Sequence, residues 1–294
     1  MSQFINMVST KRSGHHAFIE WYRAHHPAPT TFINNHSLNA ELSTKIASHA
    51  KADPSHPLIL NYEGAMLSGV QRLITEQTRL SKTVKSIIFL RDPLNLAASL
   101  IQRKKSRLAN VVMIVRQLLA ERHLLLERTA SNGLFLHVSY NAWLLDDAYR
   151  VNLAKQLGFS SHELSNSITP EGGGSSFGSE TELSPRDRSK LVTRWHGYRD
   201  DEFFAALISH PVFSAVFEAA CSGLYPDSLG STFSDESAAA YYRRITARRK
   251  ATPLLDRLID RLAARPDLFE KMDGAGSGAK KPLILRAYLT ALVP

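Results

Sequence analysis

FINMVSTKRSGHHA, residues 4–17, is the stretch from which the prediction of the fold starts. Its first five residues, Phe4–Val8, are mostly apolar and include the aromatic and β-branched types that favour a short buried strand. A helical pattern begins near Ala17, so only a short turn separates the strand from the helix. The stretch therefore predicts a β-strand that runs into an α-helix, the repeating unit of α/β proteins.

The same order of strand and helix continues along the chain. Further candidate strands, each a short apolar run, cover Thr31–Asn35, Leu58–Tyr62, Ser86–Leu90 and Leu134–Val138. Helical patterns cover Ala17–Ala24, Met66–Ser81, Leu94–Arg107, Val111–Arg128 and Asp146–Leu157. Alternation of this kind predicts an α/β fold in which a parallel β-sheet is flanked by helices on both faces.

The later part of the chain changes in character. Gly172–Phe177 is rich in glycine and serine, which is typical either of a linker or of a loop that approaches a ligand closely. The helical patterns that follow cover residues 184–198, Ala238–Lys250, Pro253–Ala264 and Pro282–Leu292. We therefore predict one α/β domain over residues 1–228 and a C-terminal helical extension over residues 229–294.

Composition limits the kinds of partner and location. The 294 residues carry a formal net charge of +9, which favours an anionic partner, unless the basic surface serves only solubility. The single cysteine, Cys221, excludes a disulfide framework, and the twelve histidines show no metal-ligand spacing such as HExxH. No apolar run is long enough to cross a bilayer, and the first strand begins almost at Met1, so we expect a cytoplasmic protein.

The turn after the first strand has the chemistry of a phosphate-binding loop. A strand-to-helix turn exposes backbone N–H groups at the positive end of the helix dipole, where an anion is favoured. Lys11 and Arg12 add positive charge there, and the Ser13 hydroxyl can donate a hydrogen bond. The pattern GxxxxGK followed by Ser or Thr is absent, which excludes a Walker loop. An ordinary turn with solvated charges is the alternative.

A second candidate for anion binding follows the strand Ser86–Leu90. Arg91 stands directly after that strand, at the carboxyl end, where ligands bind in open α/β sheets. Pro93 suits the first turn of the next helix. Ser99 lies near the second turn of that helix, on a face that can be directed toward Arg91. The pattern therefore predicts a guanidinium and a hydroxyl that converge on one anion.

These two motifs resemble those of the sulfotransferases that use 3′-phosphoadenosine-5′-phosphosulfate (PAPS) as donor. Arg12, Ser13 and Gly14 match the family's loop for the 5′-phosphosulfate. Arg91 and Ser99, eight positions apart, match its motif for the 3′-phosphate.

The resemblance extends over residues 4–200, with the motifs in the family's order. Val138–Tyr140 is similar to a strand that ends in Tyr in these enzymes, and Gly172–Phe177 is similar to their glycine-rich loop over the nucleotide. His15 and His16 stand where the family usually has two small hydroxyl residues. This departure points to a divergent branch of the family.

The resemblance implies a P-loop-NTPase-like fold and transfer of a sulfuryl group to a hydroxyl on a glycan, a lipid or a small molecule. It implies no metal, because a sulfuryl group carries less negative charge than a phosphoryl group, and no nucleic-acid partner. The residues implied for donor binding are Lys11, Arg12, Ser13, Gly14, His15, His16, Arg91, Ser99, Tyr140, Gly173, Gly174, Ser175, Ser176 and Phe177.

Four residues are candidates for catalysis. Glu63, just past the strand Leu58–Tyr62, is favoured as the general base because the family places a His or Glu in this stretch. Its alternative role is to complement the dipole of the next helix. His36 and His16 are the other candidate bases, since imidazole suits proton transfer at neutral pH. Lys11 would stabilise the leaving group.

Two other functional classes stay open. A nucleotide-dependent kinase of related fold would need a GK loop and an Asp for Mg²⁺, and neither stands in the expected place. A catalytically inactive protein that binds a nucleotide or a nucleic acid is the second alternative. The basic residues between Arg243 and Lys250 favour a nucleic acid in that case.

Overall fold

Two compact units divide the chain. Residues 1–90 with 127–183 form the first unit, and residues 91–126 with 184–294 form the second unit. The computed structural model describes residues 3–34, 56–64, 67–80, 83–102, 108–130, 135–164, 185–224, 236–265 and 267–268.

A five-stranded, all-parallel β-sheet forms the core of the first unit. Its strands are β1 (Phe4–Ser9), β2 (Thr31–Ile33), β3 (Leu58–Glu63), β4 (Val84–Leu90) and β5 (Leu136–Ser139). They lie side by side in the order β2-β3-β1-β4-β5. Each strand falls where a short apolar run predicted one, and the predicted α/β fold with a parallel sheet is confirmed.

The described α-helices account for most of the remaining elements. In chain order they are α1 (His15–His25), α2 (Leu67–Leu80), α3 (Pro93–Gln102), α4 (Leu108–Ala130), α5 (Tyr140–Leu145), α6 (Asp147–Leu157), α7 (Pro185–Leu191), α8 (Glu202–Ile208), α9 (Pro211–Leu224), α10 (Ala238–Ala247) and α11 (Pro253–Ala263). A short 3₁₀ helix covers Arg194–Tyr198. Helices α1, α2, α5 and α6 belong to the first unit.

The register of β1 brings the carboxyl ends of its neighbours to one level. Ser9, the last residue of β1, pairs with Glu63 at the end of β3 and with Phe89 near the end of β4. The Gly64 N–H donates to the Ser9 carbonyl over 2.6 Å, which holds the end of β3 against the end of β1. Ligands of parallel sheets bind at this edge, so the register determines which side chains meet there.

Helix α1 is anchored by aromatic packing. The ring of Phe18 lies 5.0 Å from that of Phe89 on β4, and the ring of Trp21 lies 5.6 Å from that of Phe159. All of these side chains are buried, so they contribute both apolar area and ring contacts. This packing orients the first turn of α1, which carries the histidine pair.

A buried polar group positions α2 against the sheet. The side-chain amides of Asn6 on β1 and Gln77 on α2 exchange hydrogen bonds of 2.7 and 3.0 Å. Asn6 also donates to the Ser86 hydroxyl over 3.2 Å. Because these side chains are buried, each amide satisfies the other where water cannot.

Helices alone build the described part of the second unit. Helix α3 packs against the 3₁₀ helix, α8 and α9, and α9 also packs against α10 and α11. The large buried side chains of this unit include Trp195, Phe204, Phe213, Phe217, Tyr241 and Tyr242. Helices α10 and α11 lie where the sequence predicted helices.

One predicted helix is broken. The pattern over residues 184–198 predicted a continuous helix, but α7 ends at Leu191 and the 3₁₀ helix follows. The buried side chain of Asn95 fills the break, because it donates to the Val192 carbonyl and accepts the Trp195 N–H. A distant amide thus replaces backbone hydrogen bonds of the helix, and no local pattern could have predicted it.

Helices α8 and α9 fall where the sequence analysis predicted none. Asp201 caps α8 by accepting the Phe204 N–H over 2.9 Å, and Pro211 begins α9. No single described helix is long and apolar enough to span a membrane. The pair Glu202–Ile208 and Pro211–Gly223 meets the length and composition limits together, with a bend of 88° between its members.

Several predicted segments lie outside the described residues. These are the domain boundary at residue 228, the loop Gly172–Phe177 and the last helix, Pro282–Leu292. The prediction of a separate C-terminal extension therefore stays a prediction. The described helices α10 and α11 belong to the same compact unit as α3 and α9.

Candidate functional site

The turn between β1 and α1 contains two residues with a left-handed backbone. Arg12 has φ 69° and Gly14 has φ 89°. The Ser13 N–H donates to the Thr10 carbonyl over 3.3 Å, which tightens the turn. A turn with left-handed residues of this kind directs successive N–H groups into a concavity that favours anions. The strained backbone of Arg12, a non-glycine residue, is also typical of a functional site.

Gly14 is required because Tyr140 approaches it closely. A Cβ atom at position 14 would lie 2.6 Å from Tyr140 Cε2. Tyr140 directly follows β5 as the first residue of α5, and its ring centroid lies 5.9 Å from that of Phe89. Tyr140 therefore packs against the turn and the sheet, and its predicted contact with the donor stays a prediction.

Gly14→Ala is expected to destabilise the chain by about 1–3 kcal/mol through backbone strain alone, and further through displacement of Tyr140. Gly158→Ala is the matched control, because Gly158 has φ 81° and an added Cβ would meet nothing within 4 Å. Denaturant unfolding of both variants measures the difference. Equal losses would contradict the importance of the Tyr140 contact.

A carboxylate and two imidazoles meet at the start of α1. Glu63 Oε1 lies 2.8 Å from His15 Nε2 and 3.2 Å from His16 Nε2. The histidines occupy the first turn of α1, whereas Glu63 is the last residue of β3. No side chain of the three is more than 11% exposed. We call these three residues the Glu63 cluster.

The hydrogen bonds of the Glu63 cluster set its charge. Burial by itself raises the pKa of the Glu63 carboxyl, but hydrogen bonds from His15 and His16, with the charge of Lys11, hold that pKa well below its usual range. Burial lowers the pKa of His15, so a neutral imidazole donates its Nε2–H to an ionised carboxylate. Glu63 is therefore a strong hydrogen-bond acceptor at neutral pH and a weak base on its own.

Two further polar side chains contact His15. Ser13 Oγ lies 3.0 Å from His15 Nδ1, and Asn61 Nδ2 lies 3.1 Å from His15 Nε2. Asn61 also donates to Asn34 Oδ1 over 2.9 Å. The sequence analysis missed Asn34 and Asn61, because one follows β2 and the other lies in β3, and only the sheet brings them to the cluster.

The Glu63 cluster also has the composition of a metal site. The sequence shows no metal-ligand spacing, yet one ligand atom from each of His15, His16 and Glu63 lies within 4.8 Å of the other two. Spacing in the sequence could not predict this metal site, because Glu63 on β3 and the histidines on α1 come together through the pairing of β1 with β3.

The predicted donor-binding residues of the turn differ in exposure. Lys11 is exposed and Arg12 is half-buried, so their charges stand near solvent. Ser13 is fully buried, and its hydroxyl contacts His15. The predicted hydrogen bond from Ser13 to a phosphate stays a prediction, and the structure assigns that hydroxyl a contact within the cluster.

Arg91 and Ser99 belong to the second unit, and both are buried. The Arg91 backbone N–H donates to the Glu121 carboxylate over 3.0 Å, and its Nη2 donates to the Leu191 carbonyl over 2.9 Å. Ser99 Oγ has no hydrogen-bond partner among the described residues. Buried hydroxyls rarely lack a partner, and the predicted contact of Ser99 with a phosphate stays a prediction.

The remaining predicted site residues lie outside the part of the chain that the structure describes, and no matching family or curated protein bears on the site. His36 and the loop Gly173–Phe177 lie outside the described residues, so their predicted roles stay predictions. No model of a known protein family matches the chain, and no curated protein matches it. The resemblance to sulfotransferases therefore rests on the residues themselves.

Proposed function

We propose that this chain transfers a sulfuryl group from PAPS to a hydroxyl acceptor. The observation that supports this best is the buried Glu63 cluster directly beside the basic turn after β1. A transfer enzyme needs an anion site for its donor and a proton acceptor for the attacking hydroxyl, held in one place. The turn and the cluster supply both groups within the first unit.

The turn supplies the donor side of the proposed site. Lys11 and Arg12 offer positive charge, and the backbone N–H groups of the turn stand at the positive end of the α1 dipole. In the proposed reaction the bond between sulfur and the bridging phosphate oxygen breaks, and its electron pair stays on that oxygen. Positive groups already in place stabilise this developing charge without reorganisation.

His16 is the proton acceptor in this proposal, and Glu63 orients it. Glu63 itself is a weak base because its pKa is held low. With Nε2–H donated to Glu63, the buried Nδ1 is the nitrogen of His16 that remains to accept a proton. The acceptor oxygen forms its bond to sulfur while its proton passes to His16. A base oriented by a third group is the usual arrangement for activating a nucleophile.

His15 has a supporting role in the same proposal. Its Nδ1 contacts the Ser13 hydroxyl, its Nε2 contacts Glu63, and its side chain is only 3% exposed. An imidazole engaged at both nitrogens is held in one orientation. His15 therefore fixes the carboxylate that orients His16.

The remaining parts of the proposal rest on the resemblance or on composition. Arg91 and Ser99 are proposed to bind the 3′-phosphate, and the acceptor is a glycan, a lipid or a small molecule.

A cytoplasmic location is proposed because the only cysteine, Cys221, is a buried free thiol. Burial raises the pKa of that thiol well above its ordinary value, so it does not serve as a nucleophile.

Nucleotide selectivity tests the proposal. We expect 3′-phosphoadenosine-5′-phosphate to bind more tightly than ADP or AMP in calorimetry, and to do so in EDTA, because the proposed transfer needs no metal. A ligand at 100 times its Kd adds about 2.7 kcal/mol of stability, so thermal shift gives a second readout. Equal binding of the three nucleotides, or a strict need for Mg²⁺, would favour the kinase alternative.

A further inference from the structure

We propose that His15, His16 and Glu63 form a binding site for a divalent transition-metal ion of the zinc class. Two imidazole nitrogens and one carboxylate oxygen converge, and all three ligand atoms lie within 4.8 Å of one another. Three protein ligands are the number that zinc uses in its catalytic sites, where water or substrate takes the fourth position. Metal binding is a property separate from the proposed transfer reaction, because it can be measured without turnover.

The distances suit an ion of this size. Zinc binds imidazole nitrogen and carboxylate oxygen at about 2.0–2.2 Å, so tetrahedral ligand atoms stand roughly 3.3–3.5 Å apart. Glu63 Oε1 lies 2.8 Å from His15 Nε2 and 3.2 Å from His16 Nε2. These two pairs of atoms therefore need to part by only about 0.1–0.7 Å to admit the ion, and the two imidazole nitrogens lie within 4.8 Å of each other. Rotation of the side chains accommodates such a change.

The ligand types and the surrounding charges select the metal. Imidazole suits zinc, cobalt, nickel and copper, whereas magnesium and calcium prefer oxygen ligands alone. Lys11 acts electrostatically on Glu63, and the positive end of the α1 dipole faces the same place. Both positive charges repel a cation, so a cation that is held only by electrostatic attraction to Glu63 would bind weakly. A cation that forms strong bonds to nitrogen is therefore favoured over magnesium.

Ser13 supports the change of tautomer that metal binding requires. An imidazole that binds an ion through Nε2 carries its proton on Nδ1, and that proton needs an acceptor. Ser13 Oγ lies 3.0 Å from His15 Nδ1. A hydroxyl both donates and accepts, so Ser13 serves the ion-free tautomer as a donor and the ion-bound tautomer as an acceptor. No rearrangement of Ser13 is needed.

The ion also has a predicted effect on the reaction, and this consequence rests on the proposed function. A bound ion occupies His16, the group proposed to receive the acceptor proton, and Glu63, the group proposed to orient it. The ion is therefore an inhibitor and not a cofactor of transfer, so the expected nucleotide selectivity should persist in EDTA.

Cobalt titration tests the site directly. The tag-free full-length chain is stripped with EDTA, dialysed and titrated with Co²⁺, whose visible d–d bands report a four-coordinate nitrogen and oxygen site. We expect one equivalent to bind and Zn²⁺ to displace it. His16→Asn and Glu63→Gln should lose the bands, and Ser13→Ala should weaken affinity about 10–100-fold, as outer-shell changes do. His25→Asn, on the same helix, should bind as the wild type does.

Two results of the cobalt titration would overturn the site. One is the absence of d–d bands in the wild-type chain, and the other is unchanged binding in His16→Asn and Glu63→Gln. Circular dichroism of each variant separates lost ligands from lost folding. X-ray absorption of the zinc-loaded wild type needs no variant and should count two imidazoles, and a shell of oxygen ligands alone would refute the proposal. Because these readouts do not use turnover, they stand apart from the test of the transfer reaction.

Discussion

Glu63→Gln is expected to lower turnover by about 10²–10⁴-fold, the range that a positioned acid–base group contributes. Glutamine keeps the size of the side chain but removes the charge that accepts hydrogen bonds from His15 and His16. The measurement is release of 3′-phosphoadenosine-5′-phosphate from PAPS, with the best wild-type acceptor among a phenol, a monosaccharide and a glycolipid. Affinity for the nucleotide should change little, because Glu63 orients His16 in the proposed reaction and is not proposed to bind the nucleotide.

Matched variants separate catalysis from stability in that experiment. Glu20→Gln, on the same helix as the histidines, loses only a half-exposed pair with Arg23 and should keep its rate. His16→Asn should be as slow as Glu63→Gln, and the double variant no slower than the slower single, because residues that act as a unit are not additive.

Other outcomes would reassign the base. If Glu63 only complements a helix dipole, Glu63→Gln should lose less than about 1 kcal/mol of stability and keep its rate. If Glu63→Gln and His16→Asn stay active while His36→Asn abolishes turnover, His36 is the base. The assignment of the reaction would survive that result, but the role of the Glu63 cluster would not.

Arg91→Ala and Ser99→Ala are each expected to weaken binding of 3′-phosphoadenosine-5′-phosphate by about 1.5–3 kcal/mol, or roughly 10–150-fold, because each removes a donor to the 3′-phosphate. The sharper readout is selectivity. Calorimetry should show that each variant loses its preference for the 3′-phosphorylated nucleotide over AMP. Equal losses for both nucleotides would contradict the assignment.

The structure makes Ser99→Ala the cleaner of the two variants. Ser99 Oγ has no hydrogen-bond partner among the described residues, so its removal should leave stability nearly unchanged. Arg91 also donates to the Leu191 carbonyl, so Arg91→Ala should lose stability as well. Arg150→Ala is the matched control, because buried Arg150 donates to the Trp143 carbonyl over the same 2.9 Å. It should lose stability and keep nucleotide selectivity.

The order of strands and helices was predictable because each element carries its own pattern. Short apolar runs marked all five strands, and helical periods marked α1, α2, α3, α4, α6, α10 and α11. The order β2-β3-β1-β4-β5 was not predictable in the same way, since strands choose neighbours by packing and not by local pattern. The break before the 3₁₀ helix was missed for a related reason, because Asn95 supplies it from another helix.

The candidate site was likewise predictable in its local parts and unpredictable in its long-range contacts. The basic turn could be read directly, because Lys11, Arg12 and Gly14 are consecutive or nearly so and a turn is a local structure. The end of β3 also predicted where Glu63 stands along its strand. Its contact with His15 and His16 depends on the pairing of Ser9 with Glu63, which joins segments far apart in the chain.

The chemical state of the site required the folded chain. The sequence predicts Glu63 as a candidate base, and only the structure shows that hydrogen bonds from two imidazoles hold the pKa of its carboxyl low. The sequence predicts that the Ser13 hydroxyl donates a hydrogen bond to a phosphate, and only the structure shows that this hydroxyl is buried and lies 3.0 Å from His15 Nδ1. Local sequence establishes which groups are present and where each element starts. Burial and hydrogen-bond partners from distant segments then set their charge and direction, because both depend on what surrounds a group in space.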